Sequence, residues 1–200
     1  MTDHAPVSQH YWQRHTDGRG RHWHRGAPPP GDELAALRRG LGREPGAVPQ
    51  MWRFYTTLNA DGHRTRALRA EHLALTLFAL HQQSRAQPMH RDDVGVGTAM
   101  QALRNSGKFS VEAVNRRFAA AATASSPNEL GMHLRGLVTQ LRGIGQPLDY
   151  TRLFHDLRDY HYPERVSDVR RRWGAQYFVW KASPVDDGSG AEIGDTTASA

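Results

Sequence analysis

Arginine gives this sequence its clearest chemical character. The chain has 26 basic side chains, of which only Lys108 and Lys181 are lysine, so the other 24 (26 minus 2) are arginine. The planar guanidinium group binds phosphate through paired hydrogen bonds and stacks on nucleic-acid bases. Arginines repeated along several helices therefore predict contact with a polyanion, whereas a single exposed pair is more often a solvated helix face.

Helical wheels at 100° per residue place several of these arginines on faces that point to water. Arg39 and Arg116 lie about 165° from the centre of the apolar stripe of their helices, and Arg171 points away from the stripe of the last helix. The pattern recurs on four helices and predicts a surface that follows phosphates. Its members are Arg38, Arg39, Arg116, Arg117, Arg135, Arg142, Arg170, Arg171 and Arg172.

The histidines offer no metal site of recognisable spacing. His22 and His24 form an H-x-H pair, but an arginine lies on each side of it and positive charge opposes a cation. The loop His90–Asp93 has two acids and one histidine, without a second cluster to complete a site. The absence of cysteine excludes thiolate zinc sites, iron–sulfur clusters and disulfides. The sequence therefore predicts neither a metal nor another cofactor.

One catalytic spacing is present. Arg66 and His72 have the R-x4-6-H spacing that resembles the HEPN ribonucleases, which are also all-α. Six residues along a helix rotate the side chains to 120° apart, so the pair can share a groove only if helix packing helps. Nucleotide-binding glycine loops, the HExxH motif and the GxSxG nucleophile elbow are all missing. We expect no catalytic residue, and a HEPN-like ribonuclease is the enzymatic alternative.

The charge of the whole chain also points to a polyanionic partner. Its formal net charge is +6, and residues 182–200 contain four acids and no base, which leaves 26 bases against 16 acids, or +10, in residues 1–181. The mean hydropathy is −0.69, and the longest nearly apolar run, Ala74–Leu80, is far too short to span a bilayer. No basic stretch leads into an apolar signal at the N-terminus. A soluble cytoplasmic protein without a membrane partner is expected.

The hydrophobic periodicity is helical throughout, so the predicted fold class is all-α. In the first half, Asp32 is expected to cap a helix with Leu34, Leu37 and Leu41 inward. Pro49 is expected to open a second helix with Met51, Trp52, Tyr55 and Leu58 as its apolar stripe. Arg64–Gln83 is apolar all round in its second half, which predicts a buried central helix.

Helix start signals are strong in the second half. A short helix is expected over Thr98–Arg104, and Ser110, Asp149 and Pro163 are expected to begin three later ones. Ser126-Pro127-Asn128-Glu129 has the form of a capping box, in which each of the two end side chains satisfies the other's amide. The predicted buried side chains are Leu75, Phe78, Leu137, Leu141, Leu157 and Trp173.

The polar segment 84–97, broken by Pro88, Gly95 and Gly97, is the predicted connection between two small helical bundles. We place the boundary near Asp93. The predicted domains are residues 1–93, with a flexible loop at 16–31, then residues 94–181, and a disordered acidic tail at 182–200.

Several short motifs, in order, resemble those of the CasB family, the small subunit of the type I-E CRISPR Cascade complex. They are Ala36-Leu37-Arg38-Arg39, Val48-Pro49 with Trp52, the apolar run Leu73–Leu80, Gly97-Thr98-Ala99, Leu103–Lys108, Leu134–Val138, Pro147–Tyr150 and Val169–Gly174. The resemblance covers about residues 11–180. The His/Arg/Gly segment 16–31 and the acidic tail depart from the family pattern.

The resemblance implies a non-catalytic subunit of an RNA-guided complex, present as two copies packed head to tail. Its basic faces would support the duplex of guide RNA and target DNA and hold the displaced non-target strand. The implied partners are the other Cascade subunits, the guide RNA, both DNA backbones and a second copy of the chain. By motif, the contacts would be Arg38, Arg39, Lys108, Arg170, Arg171 and Arg172, to which helix geometry adds Arg116, Arg117, Arg135 and Arg142.

Such a role needs only contacts to the nucleic-acid backbone, because base pairing with the guide RNA recognises the target sequence. A helical DNA-binding regulator is the other alternative. It would require two helices joined by a short turn and a polar recognition face, and no such pair is visible in the sequence.

Overall fold

The computed structural model describes residues 9–178, and these fold into α-helices joined by turns and loops. The all-α fold class is confirmed, because within this range there are only two isolated β-bridges and no strand. Two short 3₁₀ helices occur at His24–Gly26 and Pro49–Phe54. The α-helices are α1 (Tyr11–Arg14), α2 (Gly31–Arg38), α3 (Arg66–Gln82), α4 (Val96–Asn105), α5 (Val111–Thr123), α6 (Pro127–Ile144), α7 (Tyr150–Asp159) and α8 (Pro163–Phe178).

Helix α3 is the centre of the molecule. The Oγ1 atom of Thr65 caps it by accepting a hydrogen bond from the Leu68 amide at 3.0 Å. Side chains are buried on every side of its second half, as predicted, because α2, α6 and α7 all pack against it. The six side chains predicted to be buried, on this and other helices, are all at most 2% exposed.

A buried carboxylate fastens the N-terminal segment to α3. Glu71 is fully buried and accepts hydrogen bonds from the amides and hydroxyls of Thr56 and Thr57, and His10 lies 3.0 Å from it. Burial raises the pKa of Glu71, but the hydrogen bonds from His10, Thr56 and Thr57 outweigh it, so the pKa lies below its usual value. These bonds satisfy a charge that would otherwise be costly in the core.

Helices α4 and α8 pack backbone to backbone. A Cβ atom added to Gly97 would lie 2.1 Å from the carbonyl oxygen of Trp173, so only glycine allows this approach. The Gly97 amide also donates to Oε1 of Gln176 at 3.2 Å. This glycine sets the distance between the two helices.

The segment predicted to connect two bundles is bonded to the start of α7. The Asp149 amide donates to the Val94 carbonyl at 2.8 Å, and its carboxylate accepts from the amides of Asp93 and Arg152. Buried hydrophobic residues from both sides of this segment belong to one cluster. The division into bundles at Asp93 stays a prediction.

Segment 16–31 also contacts the rest of the protein. Thr16 and Trp23 form an isolated antiparallel bridge, and the Trp23 indole donates to the Ala86 carbonyl. Gly20 has a φ of +68° and lies against the backbone of His90, where a side chain would not fit. The flexibility of segment 16–31 stays a prediction. The predicted acidic tail, residues 182–200, lies outside the described residues.

Two predicted helix starts were wrong. Helix α2 begins at Gly31 with Pro30 as its N-cap, so Asp32 lies in the first turn and does not cap the helix. Pro49 opens a 3₁₀ helix instead of an α-helix. Three residues per turn bury Met51 and Phe54 together and leave Trp52 53% exposed, against the predicted stripe.

Candidate nucleic-acid interface

The predicted basic residues divide by exposure. Most are exposed to solvent, but three are only half-exposed: Arg38, Arg142 and Arg172. The exposed members are Arg39, Lys108, Arg116, Arg117, Arg135, Arg170 and Arg171.

Five of these arginines are unengaged within residues 9–178. Their side chains make neither an ion pair nor a hydrogen bond in the described part of the chain, and they lie on α5, on α6 and at the end of α2. Helices α5 and α6 pack against each other. A guanidinium without an acidic partner keeps all its donors for a phosphate. The five are Arg38, Arg39, Arg116, Arg117 and Arg135.

The arginine run on α8 is different, because each member has an intramolecular partner. Arg171 pairs with Asp168, and Arg170 donates to the Ala124 carbonyl at 3.0 Å. Arg172 donates to the buried carboxylate of Asp156 at 2.6 Å. The run contributes positive charge, but it also holds α8 in place.

The partner of Arg172, Asp156, is a buried carboxylate with a second bond to α8. The Trp173 indole donates to its second oxygen at 2.7 Å. Burial raises the pKa of Asp156, and the bonds from Arg172 and Trp173 act in the opposite direction. A variant that removes the whole run would therefore change packing as well as charge.

A second group of cations lies at the C-terminal ends of α3 and α6. Lys108 donates to the Gly143 carbonyl at 3.3 Å, Arg85 donates to the Arg142 carbonyl, and Arg142 donates to the Leu80 carbonyl at 3.2 Å. Carbonyls at a helix end favour positive charge. These cations stabilise the helix ends and keep further donors free for a phosphate.

The structure adds basic residues that sequence reasoning missed. Arg66 and Arg165 lie over the ring of Tyr162, at 4.5 and 4.7 Å from its centroid. His161, next to Tyr162, has its pKa lowered by burial and then by Arg69 and Arg66. The available signal was the pair Arg66 and Arg69 in the first turn of α3, where no acid offsets them.

The Arg66 and His72 pair does not form a ribonuclease-like site. His72 is buried, its Nδ1 lies 2.6 Å from the Tyr55 hydroxyl and its Nε2 lies 3.0 Å from the Gly40 carbonyl. Arg66 is exposed and stacks on Tyr162. His72 therefore has no ring nitrogen left to offer a substrate.

One group of potential metal ligands is assembled only by the fold. His90, Asp92 and Asp149 bring ligand atoms within 4.8 Å of one another. Nδ1 of His90 accepts from the Tyr150 amide, so its proton is on Nε2, 3.3 Å from Oδ1 of Asp92. A metal at Nε2 would require that proton on Nδ1, where the Tyr150 amide already points. The group is a hydrogen-bonded junction. Both members of the H-x-H pair are exposed, and His24 lines the same cavity as His90 and Asp92, whereas His22 does not.

A sequence profile of the CRISPR-associated protein Cse2 family matches residues 33–178. The chain belongs to the Cse2 family. The match includes every basic residue predicted to bind nucleic acid, and it confirms the resemblance deduced from the motifs. No curated protein matches the chain.

Solved structures agree with membership of the Cse2 family. The crystal structure of CasB from Thermobifida fusca is 32% identical in sequence, with a TM-score of 0.61, and the match covers 74% of this chain and 84% of that one. A chain of a CRISPR RNA-guided surveillance complex has the same fold, with 24% identity, a TM-score of 0.56 and coverage of 74% and 82%. Among the described residues of this Cse2 family member, no helix has the length and apolarity to cross a membrane.

Proposed function

We propose that this chain is a non-catalytic subunit of the type I-E CRISPR Cascade complex, in the cytoplasm, and that its basic helical faces hold nucleic-acid backbones. Membership of the Cse2 family and the fold shared with a chain of an RNA-guided surveillance complex support the assignment. The observation that carries the backbone role is the set of unengaged arginines on α2, α5 and α6. Their partners would be the duplex of guide RNA and target DNA and the displaced strand.

The chemistry of these arginines suits backbone contact without sequence selection. They are distributed over three helices, α2, α5 and α6. Base pairing with the guide supplies sequence in such a complex, so the protein needs to neutralise phosphates and fit their spacing. The predicted second copy of the chain would extend the same charged surface along the nucleic acid.

The test measures the salt dependence of binding to single strands. Arg116→Gln with Arg117→Gln removes two unengaged cations from α5, and each lost phosphate contact should flatten the slope of log K against log salt by about 0.7. We expect a slope less steep by up to about 1.4 on unrelated sequences alike. The control is Arg53→Gln, because this arginine already pairs with Glu33.

Equal slopes for the wild type and the α5 variant would contradict the proposal, as would a loss confined to one sequence. Purification of the chain with a guide RNA and the other Cascade subunits tests the assignment to the complex. RNA cleavage by the purified chain, abolished by His72→Ala, would favour the ribonuclease alternative.

A further inference from the structure

A cavity of about 360 Å³ opens between α3, α6, the loop after α2 and the end of α7. Its walls combine two kinds of side chain. Leu73, Leu157 and Met132 provide apolar surface, and Arg43, Arg69 and Arg135 provide positive charge. Pockets that bind small organic groups have this size and this mixture of apolar walls with a few polar groups.

The positive charge of the cavity is not neutralised by its own walls. Within residues 9–178, none of its three arginines makes an ion pair. Glu44 is the one acid among the lining residues, and Arg64, outside the cavity, binds its carboxylate at 2.6 Å. His161, also in the lining, has its pKa lowered first by burial and then by the positive charges of Arg69 and Arg66. An occupant of this cavity is therefore anionic.

The first turn of α6 adds to that potential. Pro127 and Asn128 line the cavity, and the N-terminal end of an 18-residue helix has a partial positive charge. The acid of this turn, Glu129, is not among the lining residues, and its carboxylate accepts hydrogen bonds from the amide and hydroxyl of Ser125.

The apolar wall selects among anions. Met132 is 71% exposed although it is a large apolar side chain, and its neighbour Gly131 packs closely against the side chain of Leu73. A thioether and leucine side chains offer a flat ring a surface to stack on. Inorganic phosphate or an acidic peptide would leave this surface uncovered, whereas a nucleotide covers it with its base and places its phosphate among the arginines.

We propose that this cavity accepts one unstacked base of a single strand, with the adjoining phosphate bound by Arg43, Arg69 and Arg135. The proposal rests on the proposed function and names the part of the nucleic acid that is recognised. It makes single strands, whose bases are free to turn outward, the preferred ligand over duplex at this site.

The test compares an oligothymidylate 12-mer with an abasic 12-mer that has the same number of phosphates. Both strands are labelled and titrated against the full chain by fluorescence anisotropy at one salt concentration. Burial of one face of the base against the apolar wall removes enough apolar surface from water to make the intact strand bind about tenfold tighter than the abasic strand. We expect that ratio in the wild type.

Two variants locate the preference. Met132→Ala should bring the ratio close to one and leave the affinity for the abasic strand unchanged. Val111→Ala, another exposed apolar side chain, lies on α5 outside the cavity and should keep the wild-type ratio. Arg116→Gln with Arg117→Gln should weaken both strands equally.

The outcomes separate this proposal from the proposed function. Equal binding of both strands with a steep salt slope would overturn the base site and leave the backbone role standing. A tenfold ratio that survives Met132→Ala would place the base elsewhere and overturn the cavity. Binding of neither strand would overturn both.

Discussion

Asp156 illustrates how single residues in this protein serve both the fold and the charge pattern. Its buried carboxylate is held by Arg172 and by the Trp173 indole. A buried charge that loses its partner is far more destabilising than a pair replaced as a whole. The sequence showed Arg172 beside an apolar stripe, but its partner lies on another helix.

We predict that Arg172→Ala lowers the free energy of unfolding by about 2–3 kcal/mol at neutral pH. The loss should depend on pH, because removal of Arg172 raises the pKa of Asp156 further above its unfolded value. When the pKa of a carboxyl group is higher in the folded state than in the unfolded state, the folded protein is most stable at low pH, below the pKa of the unfolded state. That stability is lost as the pH rises through the pKa of the folded state. Urea unfolding between pH 4 and 8 should therefore show a deficit that grows with pH.

Two controls accompany this measurement. Arg171→Ala removes an exposed partner of Asp168 and should leave the free energy of unfolding nearly unchanged. Asp156→Asn keeps an acceptor for the indole and leaves no buried charge, so it should cost less than Arg172→Ala. Equal losses for the variants at positions 171 and 172 would show that the ion pair has no structural role.

At the scale of helices, glycine sets how closely α4 and α8 approach. We predict that Gly97→Ala lowers the free energy of unfolding by about 2–3 kcal/mol, because its Cβ would overlap the Trp173 carbonyl. Gly136→Ala is the matched control, since nothing lies within 4 Å of that position in the exposed middle of α6. Alanine there should stabilise the protein by about 0.5–1 kcal/mol. Thermal and urea unfolding of both variants should show a decrease in the free energy of unfolding for Gly97→Ala and an increase for Gly136→Ala. An unchanged free energy of unfolding in Gly97→Ala would mean that the two helices can move apart at little cost.

Helix starts were predictable where their signals are local. Ser110, Ser126 and Asp149 cap their helices, each accepting a hydrogen bond from an amide three residues on. The capping box predicted for α6 is confirmed only in part. The Ser126 side chain accepts from the Glu129 amide, but the Glu129 carboxylate accepts from the amide of Ser125 and not from that of Ser126. The 3₁₀ helix at Pro49 was missed because a short run of five or six residues does not separate a period of 3.0 from 3.6.

The candidate site was less predictable than the helices. Exposure of Arg116 and Arg117 follows from the helical wheel of α5 alone, so it is predictable from the sequence. Arg43 and Arg69 join the cavity only when the loop after α2 meets α3 and α6 in the folded protein. The His90 junction likewise depends on Asp149, more than fifty positions later in the sequence.

At the scale of the whole molecule, we expect the acidic tail 182–200 to weaken the electrostatic attraction of nucleic acid. Deletion of residues 182–200 changes the formal net charge from +6 to +10, because four acids and no base are lost. We predict faster and tighter binding of single strands at low salt, with a difference that fades as salt screens the charges. Anisotropy titrations and stopped-flow association rates over a range of salt concentrations measure both effects.

The control keeps the length of the chain. Asp186, Asp187, Glu192 and Asp195 are changed together to Asn or Gln, which gives the same change in net charge. It should reproduce the effect of the deletion. An effect of the deletion alone, persisting at high salt, would show that the tail acts through its bulk.

Helix α3 has a further consequence during synthesis of the protein. The Leu77 carbonyl accepts from the Tyr150 hydroxyl, 73 residues later, and the Trp12 indole donates to Thr151, 139 residues later. At about 5–20 residues per second, the ribosome needs roughly 4–15 s to make the 73 residues between the first two partners. The second half of α3, which is apolar on every side, therefore leaves the ribosome well before α6 and α7, two of the helices that cover it. Part of the apolar surface of α3 stays uncovered during that interval, and the packing around this helix is completed only after α7 has emerged.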